Sequence, residues 1–131
     1  MIIGLGIDLI DIRRIERVIS QYGHKFKNRI FTPAEIEKCD NRRLSLDSYA
    51  KRYAAKEACS KALGTGFRHG VYWKDIEVVN SKSGKPYIAL HGGAMKKYMK
   101  LIPDGKAGNI NLSMTDEYPY AQAMVVITLE G

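Results

Sequence analysis

The hydrophobic pattern at the start of the chain predicts a buried strand followed by an amphipathic helix. The strand covers Ile2 to Asp8, an apolar run whose two glycines disfavour a helix. From Asp11 onward the apolar positions recur at helical spacing. The buried face of this helix is predicted to carry Ile12, Ile15 and Ile19. The arginines between these positions give the same helix a basic face.

A capping signal marks a second, shorter helix. Thr32 can cap its start, Pro33 suits the first helical position and Glu35 completes a capping box. We expect this helix to end at about Cys39. A polar connection, residues 41–46, separates it from the next helix.

Alternating apolar and polar positions predict strands in the second half of the chain. Two of them flank Ser83-Gly84-Lys85, which is typical of a hairpin turn. The predicted strands are 76–80, 86–90, 109–115 and 121–129, with a helix over 93–102. Together, these elements predict an α+β fold in which helices pack on a mainly antiparallel sheet. We expect one domain spanning residues 1–131.

A long alanine-rich helix, predicted from about Ser48 to Leu63, separates small residues from polar ones. The small side carries Ala54, Ala55, Ala58, Cys59 and Ala62, and the other side carries Glu57, Ser60 and Lys61. By spacing alone, Glu57 and Lys61 form an ordinary surface pair at i and i+4. Taken alone, Asp8 fits an acid at a strand end or a helix-entry cap better than a metal ligand.

Gly64-Thr65-Gly66 directly follows the long helix and allows two interpretations. It can be a simple helix terminator with a flexible turn, or a loop whose backbone N–H groups hold a phosphate. The spacing is that of neither a Walker loop nor a dinucleotide-binding fingerprint. Those two classes of nucleotide-binding protein are therefore unsupported.

Composition and charge limit the classes of protein to which this chain can belong. The chain has 131 residues, 45% of them apolar and 27% charged, and it carries no export signal or bilayer-length apolar run. We therefore expect a cytoplasmic protein without membrane association, with its two cysteines reduced. The net charge of +7 favours anionic partners and leaves nucleic acid, a phosphorylated cofactor and an acidic protein open.

Several motifs in one order resemble the signatures of the holo-acyl-carrier-protein synthases, a family of 4′-phosphopantetheinyl transferases. The resemblance starts with Gly6-Ile7-Asp8 and Arg14-Ile15, and continues with the run from Arg52 to Ala58 and the run from Lys61 to Gly66. Further matches are Phe31-Thr32-x-x-Glu35, Ser83-Gly84-Lys85-Pro86 and Tyr120-Ala121-x-Ala123. The resemblance therefore covers essentially the whole chain.

This resemblance implies an Mg²⁺ site and a coenzyme A site. Asp8 and Glu57 would be the Mg²⁺ ligands, which suits a cation that prefers a few carboxylates together with phosphate oxygens and water. Lys61 would touch the phosphates of coenzyme A, and Arg52 is the candidate for its 3′-phosphate. Gly64, Thr65 and Gly66 would shape the coenzyme pocket.

The implied reaction transfers 4′-phosphopantetheine from coenzyme A to a serine of an apo acyl carrier protein, in support of fatty acid biosynthesis, and releases adenosine 3′,5′-bisphosphate. The group that removes the serine proton is left open among a metal-bound water, Asp8 and Glu57. The family also implies a homotrimer with coenzyme A at its interfaces. One departure concerns Asp116, which stands where many relatives have histidine.

The basic helix would receive the acidic carrier protein through Arg13, Arg14 and Arg17. An alternative hypothesis is a small basic nucleic-acid-binding module, motivated by the same arginines and the net charge. The chain has only three phenylalanines and one tryptophan and no nucleic-acid-binding signature, so we expect no nucleic-acid partner. A purely structural protein would not need the arrangement from Lys61 to Gly66.

Overall fold

The computed structural model describes residues 1–130 and contains two antiparallel sheets and five α-helices within that range. The strands are β1 (Ile2–Asp11), β2 (Ile76–Asn80), β3 (Pro86–Leu90), β4 (Ala107–Glu117) and β5 (Tyr120–Glu130). The helices are α1 (Ile12–Tyr22), α2 (His24–Ile30), α3 (Pro33–Asp40), α4 (Ser45–Leu63) and α5 (Gly92–Leu101). A 3₁₀ turn, Trp73–Asp75, precedes β2. The predicted α+β class with antiparallel strands is confirmed.

The larger sheet has the strand order β1-β5-β4, so the last strand of the chain lies in its centre. This position explains the nearly unbroken apolar sequence of β5, whose inward side chains Ala121, Ala123, Val125 and Ile127 are buried. β2 and β3 form a separate hairpin. Its turn contains Gly84 with a positive φ of 89°, as the predicted Ser83-Gly84-Lys85 turn requires.

Several predicted boundaries were wrong. β1 continues past Asp8 to Asp11, because the strand keeps pairing with β5 as far as Tyr120. Asp11 then accepts a hydrogen bond from the backbone N–H of Arg13 and so caps α1. α4 begins at Ser45, three residues earlier than predicted. α2 was not predicted from the sequence, and it has only seven residues.

A buried ion pair joins α4 to the rest of the molecule. Lys56 and Glu35 have fully buried side chains, and Lys56 Nζ donates to Glu35 Oε1 at 2.7 Å. The same Nζ donates to the backbone carbonyls of Trp73 and Ile76, at 3.1 and 2.6 Å. Glu35 also completes the predicted capping box with Thr32. Each N–H donor of the Lys56 ammonium therefore has a partner, as a buried charge requires. These bonds connect α3, α4 and the start of β2.

Candidate active site

The site depends on the close approach of β1 to α4. Gly4 and Gly6 lie on the face of β1 that meets this helix. A Cβ at Gly6 would stand 1.8 Å from the carbonyl oxygen of Ala58, and one at Gly4 would stand 2.4 Å from that of Ala62. Alternate residues of a strand share a face, so Asp8 also points toward α4. The two glycines therefore bring Asp8 to the part of α4 that carries Glu57 and Lys61.

Asp8 and Glu57 form the predicted pair of acids. Burial and, after it, the charge of Asp8 raise the pKa of Glu57, while Lys61 and Arg14 oppose that rise. Residues 49 positions apart in sequence thus act on each other directly. The structure thus brings the two predicted carboxylates together. The cations beside them are Lys61 and Arg14.

Lys61 bonds across to β1 instead of along its own helix. Its Nζ lies 3.2 Å from Asp8 Oδ1 and donates to the backbone carbonyl of Ile7 at 3.0 Å. The ammonium is half exposed, so it can reach a bound ligand while it stays in this position. This contact between α4 and β1 differs from the surface pair with Glu57 that the spacing of Lys61 alone suggested.

Two more side chains complete the cluster. Tyr53, Glu57 and Lys61 follow one another at four-residue intervals and so form one row along α4. Arg14, from α1, lies within electrostatic reach of both Tyr53 and Glu57. Tyr53 was not among the site residues predicted from the sequence, although its spacing of four residues from Glu57 was a usable signal.

The Gly64-Thr65-Gly66 loop is a helix C-cap. Gly64 and Gly66 have positive φ angles of 84° and 61°. The N–H groups of Thr65 and Gly66 donate to the carbonyl of Ser60, at 3.3 and 3.1 Å, and that of Gly64 donates to Lys61. These three N–H groups therefore serve the end of α4. Ser60, predicted on the open side of the helix, is fully buried.

Arg52 lies apart from this cluster. It is 2% exposed, and its guanidinium donates to Ser48 Oγ at 2.7 Å and to Asn80 Oδ1 at 3.0 Å. Five residues along a helix correspond to a rotation of about 140°, so Arg52 and Glu57 point in different directions. The structure thus does not bring Arg52 together with Asp8, Glu57 and Lys61.

The three arginines of α1 differ in their surroundings. Arg13 pairs with Asp11 at 2.6 Å and lowers the pKa of that carboxyl to about 2. Arg14 and Arg17 are both exposed, and Arg14 lies within electrostatic reach of Tyr53 and Glu57 on α4. A groove between α1 and α2 continues this surface, with an apolar floor and a basic rim. It is lined by Val18, Tyr22, Lys25, Phe26 and Arg29.

A second cluster of charges surrounds Asp116, the residue at which the chain departs from the family pattern. Asp116 lies 3.4 Å from Lys51 Nζ and contacts Asp47 in the first turn of α4. Burial, followed by the hydrogen bond and the charge of Asp116, raises the pKa of Asp47. Arg42 and Arg43 line the same pocket.

Known proteins are similar to this chain over nearly its whole length. Residues 4–122 match the sequence model of the 4′-phosphopantetheinyl transferase superfamily. The holo-[acyl-carrier-protein] synthase of Xanthobacter autotrophicus is 55% identical over 128 residues, which are 98% of this chain and 95% of that protein. The corresponding protein of Nitrobacter hamburgensis is 54% identical over 132 residues, with the same shares covered.

Solved structures of similar proteins have the same fold. The holo-[acyl-carrier-protein] synthase of Neisseria meningitidis superimposes with a TM-score of 0.84 at 35% identity, covering 98% of this chain and 99% of that one. That of Helicobacter pylori, crystallised with coenzyme A, gives a TM-score of 0.80 at 31% identity, covering 95% and 99%.

The chain therefore belongs to the 4′-phosphopantetheinyl transferase superfamily. The resemblance found in the sequence is confirmed, and with it the prediction of an enzyme of the holo-[acyl-carrier-protein] synthase type. No helix within residues 1–130 is long and apolar enough to cross a membrane.

Proposed function

We propose that this protein transfers the 4′-phosphopantetheine group of coenzyme A to a serine of an apo acyl carrier protein, in support of fatty acid biosynthesis. The observation that carries the proposal is the meeting of Asp8 with Glu57 and Lys61 across the contact between β1 and α4. Two acids and a lysine at one point suit the transfer of a phosphoryl group, whose charge must be held and neutralised. The nucleic-acid-binding alternative gives these acids no purpose.

Asp8 and Glu57 would hold Mg²⁺. Their chemistry fits this cation, because hard carboxylate oxygens are the protein ligands that it prefers and substrate phosphates supply further ones. When bound, the cation would neutralise charge on the pyrophosphate of coenzyme A. Burial and, after it, the negative charge of Asp8 raise the pKa of Glu57, and a bound cation would favour the ionised carboxylate.

Lys61 would hold a phosphate oxygen, and Glu57 would accept the proton of the carrier serine. Asp8 is already paired with the Lys61 ammonium at 3.2 Å, whereas Glu57 forms no salt bridge within residues 1–130, so Glu57 is the better base of the two. The serine oxygen would then attack the β-phosphate and form a new P–O bond. The bond from that phosphorus to the leaving adenosine 3′,5′-bisphosphate would break.

The remaining contacts to coenzyme A are assigned by resemblance. Gly64, Thr65 and Gly66 would border the pocket at the end of α4, next to Lys61. The N–H groups of these three residues already donate to carbonyls at the end of α4. The loop would therefore define the shape of the pocket and offer the Thr65 side chain to the coenzyme. For Arg52 to reach the 3′-phosphate, its buried guanidinium would have to leave Ser48 and Asn80.

The acidic carrier protein would dock on α1 and on the groove beside α2. Arg14 and Arg17 offer positive charge there, and Arg13 adds to it although it is paired with Asp11. The apolar floor of the groove, at Val18, Tyr22 and Phe26, would receive apolar side chains of the carrier. Arg14 reaches both this surface and Glu57, so the docked serine would stand close to the acids.

A homotrimer is the proposed assembly. The outer face of the larger sheet exposes four large apolar side chains between 43% and 61%: Leu5, Ile7, Leu9 and Met124. A contiguous apolar patch of this kind marks an interaction surface. Burial of this face between subunits would place the coenzyme sites at the interfaces.

The proposed location is the cytoplasm.

The decisive experiment is mass spectrometry of an apo acyl carrier protein incubated with coenzyme A, Mg²⁺ and this protein. We expect the carrier to gain the mass of one phosphopantetheine group. A matched reaction uses a carrier whose acceptor serine is replaced by alanine, and it should show no gain. An unmodified wild-type carrier, under conditions in which a related synthase modifies it, would refute the proposal.

A further inference from the structure

β1 is an edge strand of the larger sheet, and its backbone offers hydrogen-bonding groups on the side away from β5. In an antiparallel pair, successive residues direct their N–H and C=O groups alternately toward the partner strand and away from it. The N–H of Ile12 donates to the carbonyl of Pro119, just before β5, at 2.7 Å. Pairing is regular from Asp11 back to Gly4. The backbone groups of Leu5, Ile7 and Leu9 therefore face the free edge.

The contact between Lys61 and β1 agrees with this direction. Lys61 Nζ donates to the carbonyl of Ile7 at 3.0 Å and lies 3.2 Å from Asp8 Oδ1. Because β5 occupies the other side of β1, this ammonium reaches the Ile7 carbonyl from the free edge. Within residues 1–130 no other hydrogen bond reaches the outward backbone groups of Leu5, Ile7 and Leu9. An open strand edge thus begins at the proposed phosphate-binding lysine.

Such an edge is suited to an extended ligand that carries amides, since unpaired N–H and C=O groups of an edge strand bind added chains. The phosphopantetheine arm of coenzyme A is a chain of this kind, with a phosphate, a short spacer and two amides in succession. Alternate residues of a strand are about 7 Å apart. A phosphate held by Lys61 beside Ile7 therefore leaves the amides of the arm within reach of Leu9.

The surroundings select the Leu9 end of this edge. A Cβ at Gly4 would stand 2.4 Å from the carbonyl oxygen of Ala62, so the end of α4 and the loop 64–66 lie beside the other end of β1. The proposed nucleotide pocket is at that loop. In the opposite direction β1 leads to Asp11, which caps α1, the helix proposed to receive the carrier protein. The arm to be transferred therefore runs from the phosphate toward the carrier.

We propose that the free edge of β1 holds the phosphopantetheine arm of coenzyme A as a short added strand. The Leu9 N–H donates to the carbonyl of the first amide, and the Leu9 C=O accepts from the N–H of the second amide. This is the pattern of a parallel strand pair, in which one residue bonds to the two amides that flank its neighbour. The inference rests on the proposed transfer of phosphopantetheine.

Leu9→Pro tests the proposal, because it removes the outward N–H and no bond to β5, and edge strands accept proline at such positions. Calorimetry with Mg²⁺ should show coenzyme A bound about three- to tenfold more weakly, the range for loss of one hydrogen bond. Adenosine 3′-phosphate 5′-diphosphate, which lacks the arm, should bind as it does to wild type. Leu5→Pro is the matched control and should weaken neither ligand. Equal weakening of both ligands by Leu9→Pro, or a selective effect of Leu5→Pro, would overturn the inference.

A modified ligand tests the second bond without any change to the protein. A coenzyme A analogue with an ester in place of the second amide lacks the N–H that the Leu9 carbonyl would accept. We expect wild-type protein to bind it about three- to tenfold more weakly than coenzyme A, and equal affinity would contradict the proposal. If light scattering showed that Leu9→Pro changes the assembly while coenzyme A binding stays normal, this edge would instead join copies of the chain. Wild-type protein that binds no coenzyme A would count against the proposed function itself.

Discussion

Gly6 lies so close to Ala58 that a side-chain carbon at Gly6 would stand 1.8 Å from the Ala58 carbonyl oxygen. Real carbon atoms do not approach an oxygen to this distance, so β1 and α4 can pack as they do only with glycine at this position. Asp8 follows two residues later on the same face of the strand. The separation between Asp8 and Glu57 therefore depends on a residue that has no side chain.

Gly6→Ala should disturb both stability and activity. The added methyl group must push β1 away from α4, because its neighbour is backbone and cannot rotate aside. We expect a loss of at least about 1–3 kcal/mol in the free energy of unfolding, measured by denaturant titration. Gly4→Ala, with 2.4 Å to the Ala62 carbonyl, should cause a smaller loss. Wild-type stability in Gly6→Ala would contradict the packing described.

Asp8→Asn and Glu57→Gln should each reduce kcat/KM by roughly 100-fold or more, because each removes a charge from the centre of the reaction. Circular dichroism should show an intact fold, since both side chains contact the site and not the core. Isothermal titration with Mg²⁺ in the presence of coenzyme A should show weaker binding. Normal turnover by either variant would refute the metal assignment.

Arg17→Glu isolates carrier docking from the chemistry, because Arg17 is exposed on α1, whereas Arg14 also reaches Glu57. We expect the KM for carrier protein to rise about two- to tenfold at low salt. The difference from wild type should shrink as ionic strength rises, since salt screens exposed charges. Lys96→Glu, the same charge reversal on α5, should have little effect. If both variants behaved alike, docking on α1 would be wrong.

Leu5→Lys should break the proposed trimer. Leu5 is 61% exposed on the outer face of the larger sheet, and a lysine there would place three charges at one interface. Light scattering should change from about three times the chain mass of 14.7 kDa toward a single chain. Leu44→Lys is the matched control, because Leu44 is 62% exposed but lies between α3 and α4. A monomeric wild-type protein would reject the assembly.

Asp47→Asn should stabilise the protein at neutral pH. Burial and Asp116 raise the pKa of Asp47 above 3.8, so ionisation of this carboxyl costs more in the folded chain than in the unfolded one. Its contribution to stability is complete below about pH 4 and is lost as the pH rises through the raised pKa. The melting temperature of Asp47→Asn should therefore exceed that of wild type at pH 7.

This advantage should vanish as the pH falls below the ordinary value of 3.8, where Asp47 is protonated in both states. The effect is modest, because Asp47 is partly solvated and Lys51 lies nearby. Asp104→Asn, in an exposed turn, is the control and should show no such pH-dependent gain. A variant less stable than wild type at pH 7 would contradict the repulsion between Asp47 and Asp116.

Local patterns in the sequence predicted most of the helices and strands and identified the candidate chemical groups. Hydrophobic period, the Thr32 capping box and the glycine after Leu63 predicted the helices from interactions within a few residues. The order of the family motifs identified the enzyme class. The predicted boundary of a strand was wrong where pairing with a distant strand decides it: β1 extends to Asp11 because β5 continues to pair with it.

Which of the candidate groups meet depends on how distant elements pack against each other. Lys61 pairs with Asp8 and not along α4, because the glycines of β1 bring that strand against the helix. Arg52 is buried against Asn80, a residue of the distant strand β2, which no local pattern contains. The place of Tyr53 depends likewise on Trp73 and Phe26, from two other segments. Sequence patterns report neighbours along a helix or strand, whereas these contacts arise only when separate elements pack.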